Sequence, residues 1–129
     1  MKTGITYTAD LFAIYPDCDI YIFCVSDDAL LPLFKSIRIN KEAVIIHTSG
    51  SVPLDIFKAS ADYYGVMYPL QTFSKKRALD FAEVPLCIEA SEPRVLDTVR
   101  QLAGCLSNNV QEISSEKRKK LHLAGVIAN

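Results

Sequence analysis

Two polar segments carry residue types that could do chemistry. The first, His47-Thr48-Ser49-Gly50-Ser51, places an imidazole before three hydroxyl side chains, and the second, residues 68–74, reads Tyr-Pro-Leu-Gln-Thr-Phe-Ser. Imidazole titrates near neutral pH, so His47 could donate a proton or anchor a substrate, and Ser49 could hydrogen-bond a carbonyl or carboxylate. The alternative is a structural histidine whose ring is satisfied by the protein. A serine hydrolase is not indicated, because the G-x-S-x-G elbow is absent from the sequence.

The second segment supplies neutral hydrogen-bonding groups. Gln71 and Thr72 follow Pro69, which restricts the backbone where the chain leaves an apolar run. We expect both side chains to contact a substrate or a nicotinamide amide. The alternative is a turn that only orders the next loop.

A third set of candidates lies near the end of the sequence. Arg118, His122 and Asn129 are separated by four and seven residues, which puts them on roughly one face of a helix. His122 is the candidate for catalysis and Asn129 for substrate contact; a solvated stripe is the competing interpretation, and the preferred one for most of residues 116–120. A zinc site formed by His47 and His122 is not expected, because no third ligand stands at suitable spacing.

Apolar runs that alternate with helical patterns must position these groups. Strands are predicted over residues 19–25, 43–47, 65–68 and 85–90, and an edge strand over 109–113. Helices are predicted after Ser26, over 93–106, and from Ser114 or Ser115 to Asn129. This alternation indicates an α/β fold with a mostly parallel sheet, whose strands bind ligands at their carboxyl ends.

Composition excludes several classes of protein. The 129 residues are 50% hydrophobic with a net charge of −1, which suits one globular domain and gives no basic surface for nucleic acid. No run is long enough to cross a membrane and no signal peptide is visible, so we expect a cytoplasmic protein without membrane partners. The cysteines show no C-x-x-C spacing, and we expect all of them to be buried structural thiols: Cys18, Cys24, Cys87 and Cys105.

The order of these motifs resembles one family. The resemblance rests on residues 19–29, 47–51 and 68–74, and on Arg118 with 121–126 and Asn129. It is to oxidoreductase-like proteins with a Rossmann-like domain followed by a helical domain of unknown function, similar to pyrroline-5-carboxylate reductase, ketopantoate reductase and deazaflavin-dependent NADP reductases.

The resemblance implies an incomplete Rossmann-like fold that lacks its first βαβ unit. Residues 1–113 would be part of a domain that binds NADP or NAD, and 114–129 the start of the helical domain. A small carbonyl, imine or hydroxy substrate would meet the catalytic residues His47, Ser49 and His122, while the cofactor's nicotinamide end would lie over Val25, Ser26 and Asp27. Relatives of this kind are expected to form homodimers.

One expected element is missing from the sequence. The five glycines are scattered and none forms the G-x-G-x-x-G turn that holds a dinucleotide pyrophosphate. We therefore expect the chain alone to be an inactive fragment with very weak or no nucleotide binding. The alternative function is a non-catalytic interaction module that pairs through an exposed edge of its sheet.

Overall fold

The computed structural model describes residues 4–71 and 80–128. Within these ranges the sheet contains five strands: β1 (Ile20–Phe23), β2 (Val44–His47), β3 (Tyr64–Pro69), β4 (Leu86–Ala90) and β5 (Val110–Glu112). The α-helices are α1 (Asp27–Ser36), α2 (Pro93–Leu106) and α3 (Ser115–Ala128), and short 3-10 turns span Leu11–Ala13, Leu54–Phe57 and Phe81–Glu83. Each strand and each α-helix lies where the sequence predicts one.

The strands follow each other across the sheet in the order in which they occur in the chain. β1, β2 and β3 are parallel, β4 runs antiparallel to β3, and β5 is parallel to β4. The predicted α/β class with a mostly parallel, Rossmann-like sheet is confirmed. The first three strands consequently end at the same edge of the sheet, which places the residues that follow them side by side.

The two faces of the sheet are covered by different helices. On one face α2 packs its buried residues Val95, Val99 and Ala103 against β2, β3 and β4. On the other face α1 and the 3-10 turn Leu54–Phe57 cover β1 and β2, with Phe57 fully buried. The central strands are therefore apolar on both faces, as their continuous hydrophobic runs predict.

β1 is poorly covered on one face. It forms one edge of the sheet, and Ile22 keeps 42% of its surface exposed on the face where α2 covers the other strands. No helix within the described residues has the length and apolar character needed to span a membrane.

The prediction that all four cysteines are buried is wrong. Cys87 on β4 is buried and Cys18 is half-buried, but Cys24 and Cys105 are exposed. Cys24 follows the poorly covered edge strand. Cys105 lies two residues after the buried Ala103 on α2, about 200° around the helix, and therefore faces away from the sheet.

Candidate functional site

The predicted site residues that the structure describes lie at the carboxyl ends of β1, β2 and β3. Val25, Ser26 and Asp27 link β1 to α1, residues 48–53 follow β2, and Gln71 follows β3. Helix α3 packs against the same end through Arg118 and His122. The structure thus brings together candidates that lie up to about a hundred residues apart in the chain.

The turn after β2 is organised by Ser49. Its hydroxyl oxygen accepts hydrogen bonds from the backbone N–H groups of Ser51 (3.1 Å) and Val52 (3.0 Å). Such a turn satisfies backbone donors that helix or sheet pairing would otherwise have to satisfy. Ser49 therefore has a structural task in addition to any contact with a substrate.

His47 is fully buried at the end of β2. Its Nδ1 accepts from the Ser49 N–H at 3.1 Å, which leaves Nε2 to carry the proton and donate to the Pro53 carbonyl at 3.3 Å. Burial, with a smaller contribution from the positive charge of Arg118, lowers the pKa of His47 to about 4. At neutral pH the ring is uncharged and both nitrogens are occupied, and its catalytic role stays a prediction.

Asp27 connects the first loop to the second. Its Oδ2 accepts a 2.6 Å hydrogen bond from the Ser51 hydroxyl. That bond is the main cause of a lowered Asp27 pKa, so the carboxylate is ionised at neutral pH. Ser26 occupies the predicted N-cap position of α1, but its side chain makes no cap hydrogen bond and the residue is exposed.

His122 on α3 lies against the same turn. Its Nδ1 is 2.8 Å from the Tyr68 hydroxyl, and the two rings meet edge to face with centroids 5.6 Å apart. On the other side Gly50 makes a close approach, since a Cβ built there would lie 2.5 Å from His122 Cγ and Nδ1. Any residue larger than glycine would have to displace this imidazole.

One turn earlier on α3, Arg118 is 1% exposed. Nη1 donates to Glu89 Oε2 on β4 at 2.7 Å, and Nη2 donates to the Val52 carbonyl. The hydroxyl of Ser115 also donates to Glu89, at 2.6 Å. The predicted shared face of Arg118 and His122 is confirmed, but Arg118 is an internal ion-pair partner and not part of a solvated stripe.

Sequence reasoning did not single out Tyr68 or Glu89 as site residues. Tyr68 stood inside the quoted segment 68–74, but its partner is 54 residues away. Glu89 is a charged residue in an otherwise apolar strand, and that pattern could have indicated a buried ion pair.

Gln71 and Val25 are the other candidates among the described residues. Gln71 is half-buried, and its backbone N–H bonds the Pro69 carbonyl at 3.0 Å. Val25 is 38% exposed. Thr72 and Asn129 lie outside the described residues, so their proposed substrate contacts stay predictions. The described ranges hold no cluster of three or more metal-ligating His, Cys, Asp or Glu side chains.

A cavity of about 310 Å³ lies elsewhere, among the residues that precede β2 and β3. Lys41, Lys58 and Asp62 stand on its wall. The cavity therefore lies at the amino-terminal end of the parallel strands, away from the polar groups at their carboxyl ends. Open α/β folds bind ligands at the carboxyl ends, so this cavity is not the candidate site.

Comparison with known proteins agrees with the resemblance seen in the sequence. Residues 84–129 match the family described as "Domain of unknown function (DUF2520)". Over 95% of its length the chain is similar to a solved structure of a putative NADP oxidoreductase from Bacteroides fragilis, with 41% identity and a TM-score of 0.87. A solved Thermotoga maritima protein matches 90% of the chain with 27% identity and a TM-score of 0.72.

The chain spans about half the length of these solved structures, 48% and 45% respectively. No curated protein matches it. The family match and the structural match confirm the predicted resemblance to Rossmann-like proteins of the oxidoreductase type.

Proposed function

We propose that this chain forms the substrate-side part of an NAD(P)-dependent oxidoreductase that acts on a small carbonyl, imine or hydroxy substrate. The observation that carries the proposal is the meeting of three polar groups at one sheet edge: the Asp27–Ser51 contact, the Ser49 turn and the Tyr68–His122 pair. The fold around them is of the oxidoreductase type, and a protein similar to this chain is named as a putative NADP oxidoreductase.

The first loop suits the nicotinamide end of a cofactor. Ser26 is exposed and its hydroxyl makes no cap hydrogen bond, and the ionised Asp27 would attract the positive charge of an oxidised nicotinamide ring. The same loop does not suit phosphate, because Asp27 and Asp28 fill the first turn of α1 with negative charge. The described residues therefore fit one half of the cofactor and not its pyrophosphate.

His122 is the group we assign to proton transfer. Its Nε2 has no hydrogen-bond partner among the described residues, whereas both nitrogens of His47 are engaged. When bound, the cofactor would supply or accept the hydride. His122 would give a proton to the substrate oxygen or nitrogen or take it back, Ser49 and Gln71 would orient the substrate, and His47 would hold the turn in place.

The proposal is tested by NMR titration of the chain with nicotinamide mononucleotide at millimolar concentration. We expect fast-exchange shifts confined to the amides of Ser26, Asp27 and residues 48–51. Adenosine 2′,5′-bisphosphate, the other half of NADP, is the matched control and should shift none of these signals. The proposal fails if the nicotinamide half causes no localised shifts, or if both halves shift the same amides.

Binding of the complete dinucleotide should be weak. Without a glycine-rich turn the chain lacks the backbone N–H groups and helix terminus that hold a pyrophosphate. Calorimetric titration with NADPH and with NADH should show no saturation at micromolar concentrations, and a micromolar Kd for either would contradict this expectation.

A second candidate function follows from β1. This strand is an open edge within the described part of the sheet, and Ile22 beside it is 42% exposed. An exposed apolar edge favours pairing with another strand, here as a homodimer or in a non-catalytic interaction module. Sedimentation of the wild type should then show a dimer that Ile22→Lys disrupts, whereas Leu106→Lys, at an equally exposed 42% on α2, leaves it intact. A monomeric wild type excludes pairing of this edge with a second copy of the chain.

A further inference from the structure

The imidazole of His122 is held from two sides. The Tyr68 hydroxyl contacts Nδ1 at 2.8 Å, and the backbone of Gly50 lies against the Cβ–Cγ–Nδ1 side of the same ring. The edge-to-face contact with the Tyr68 ring further limits rotation of the imidazole. The other ring nitrogen, Nε2, has no hydrogen-bond partner among the described residues.

The direction of the Tyr68–His122 hydrogen bond follows from the chemistry of the two groups. Burial raises the pKa of Tyr68, so the phenol keeps its proton throughout the neutral range. A phenol is a stronger acid than a neutral imidazole N–H, and an imidazole nitrogen is a better acceptor than a phenol oxygen. The hydroxyl therefore donates to Nδ1 while His122 is neutral, and the ring proton lies on Nε2.

We infer that Tyr68 is a positioning residue for His122: it fixes the ring orientation and the Nε2–H tautomer, so that Nε2 is the nitrogen that meets the substrate. This inference rests on the proposed function and names the atom that carries the proton transfer. A hydroxyl suits the role because it can also accept a hydrogen bond from Nδ1–H once the imidazole is protonated.

Proton transfer from this arrangement would start from the imidazolium form of His122, with the solvent as its proton source. When bound, a reduced nicotinamide would supply the hydride; the Nε2–H bond of the imidazolium would break, and an O–H or N–H bond would form on the substrate. The ring would then be neutral with its proton on Nδ1, and that N–H would donate to the Tyr68 oxygen. Uptake of a solvent proton at Nε2 would restore the imidazolium, and the Nε2–H tautomer that Tyr68 favours is that of the resting neutral ring. No tyrosinate forms, which fits a phenol whose pKa is raised.

The chain is well suited to a direct test, because it contains only two histidines. Nitrogen-15 NMR of histidine-labelled protein reports which ring nitrogen of each carries the proton. We expect the Nε2–H tautomer for neutral His122. Tyr68→Phe should lower the ratio of Nε2–H to Nδ1–H roughly fivefold, which corresponds to the net free energy of one hydrogen bond. In this variant the Nδ1 chemical shift should also move toward the value of an imidazole nitrogen that accepts no hydrogen bond.

Two controls distinguish a change in the His122 tautomer ratio from a general change in the structure. Tyr64→Phe removes a hydroxyl from the same face of β3 and should leave the His122 signals unchanged. The His47 signals, set by Ser49 and Pro53, should be unaltered in both variants. If Tyr68→Phe does not fold, the wild type decides: Nδ1–H as its main neutral tautomer, or an Nδ1 chemical shift typical of a nitrogen without a hydrogen bond, overturns the inference, and a hydrogen-bonded Nδ1 supports it.

The outcomes also distinguish this inference from the proposed function. An unchanged tautomer ratio in Tyr68→Phe overturns the role of Tyr68, even if nicotinamide mononucleotide shifts the predicted amides. A lowered ratio supports that role, and the nucleotide titration then decides separately whether the oriented nitrogen serves an oxidoreductase.

Discussion

The burial of His47 makes the stability of the fold depend on pH. The pKa of this imidazole is about 4 in the folded chain against 6.5 for an exposed histidine. Between these values the unfolded state binds a proton that the native state does not, so stability is complete above pH 6.5 and falls as the pH is lowered toward 4. With about 1.4 kcal/mol for each pKa unit, the loss attributable to His47 is about 3 kcal/mol.

Urea unfolding at several pH values between about 7 and 4 measures this loss by linear extrapolation. The His47→Asn variant is less stable at neutral pH but cannot take up the proton, so its free energy of unfolding should fall about 3 kcal/mol less than that of the wild type over this range. Tyr64→Phe keeps His47 and should retain the wild-type dependence. Equal pH dependence in the wild type and in His47→Asn would refute the reasoning, as would an NMR titration of His47 with a midpoint near 6.5.

Three further substitutions test the packing of the site. Gly50→Ala should destabilise the fold by about 1–3 kcal/mol, because the new methyl group would overlap the His122 ring, and the loss should shrink in the double variant with His122→Ala, as a double-mutant cycle would measure. Arg118→Ala leaves its carboxylate partner without a buried counter-charge and should cost about 3 kcal/mol in urea unfolding, whereas the exposed neighbour Lys117→Ala should change stability by less than about 0.5 kcal/mol. Ser49→Ala removes the acceptor of two backbone N–H groups and should cost about 1 kcal/mol, and a loss below about 0.3 kcal/mol would show that water replaces the hydroxyl.

Local signals in the sequence were enough to predict the secondary structure. The apolar run before Ser26, the acidic residues after it and Pro93 at the start of α2 each mark a boundary within a few residues, and the structure has its boundaries there. Hydrophobic runs and cap residues act through neighbours along the chain, so they can be read without knowing the fold. The parallel order of β1, β2 and β3 then followed from the alternation of strands and helices.

The environment of the candidate groups was not predictable in this way. His47 and Arg118 looked like polar residues available to solvent or ligand, yet both are buried with partners supplied by other segments. Glu89 reaches Arg118 only because β4 runs antiparallel to β3 and α3 packs across both, and no local pattern specified either arrangement.

The sequence by itself determined which polar residues lie at the carboxyl ends of the strands, because the apolar pattern shows where each strand ends. Only the tertiary structure decided which of them bind each other. Tyr68 and His122 meet across 54 residues because α3 packs against the carboxyl end of β3, and Gly50 allows the His122 ring to approach closely. The packing of side chains from several segments sets the position of α3 on the sheet, so no single segment of the sequence encodes this contact.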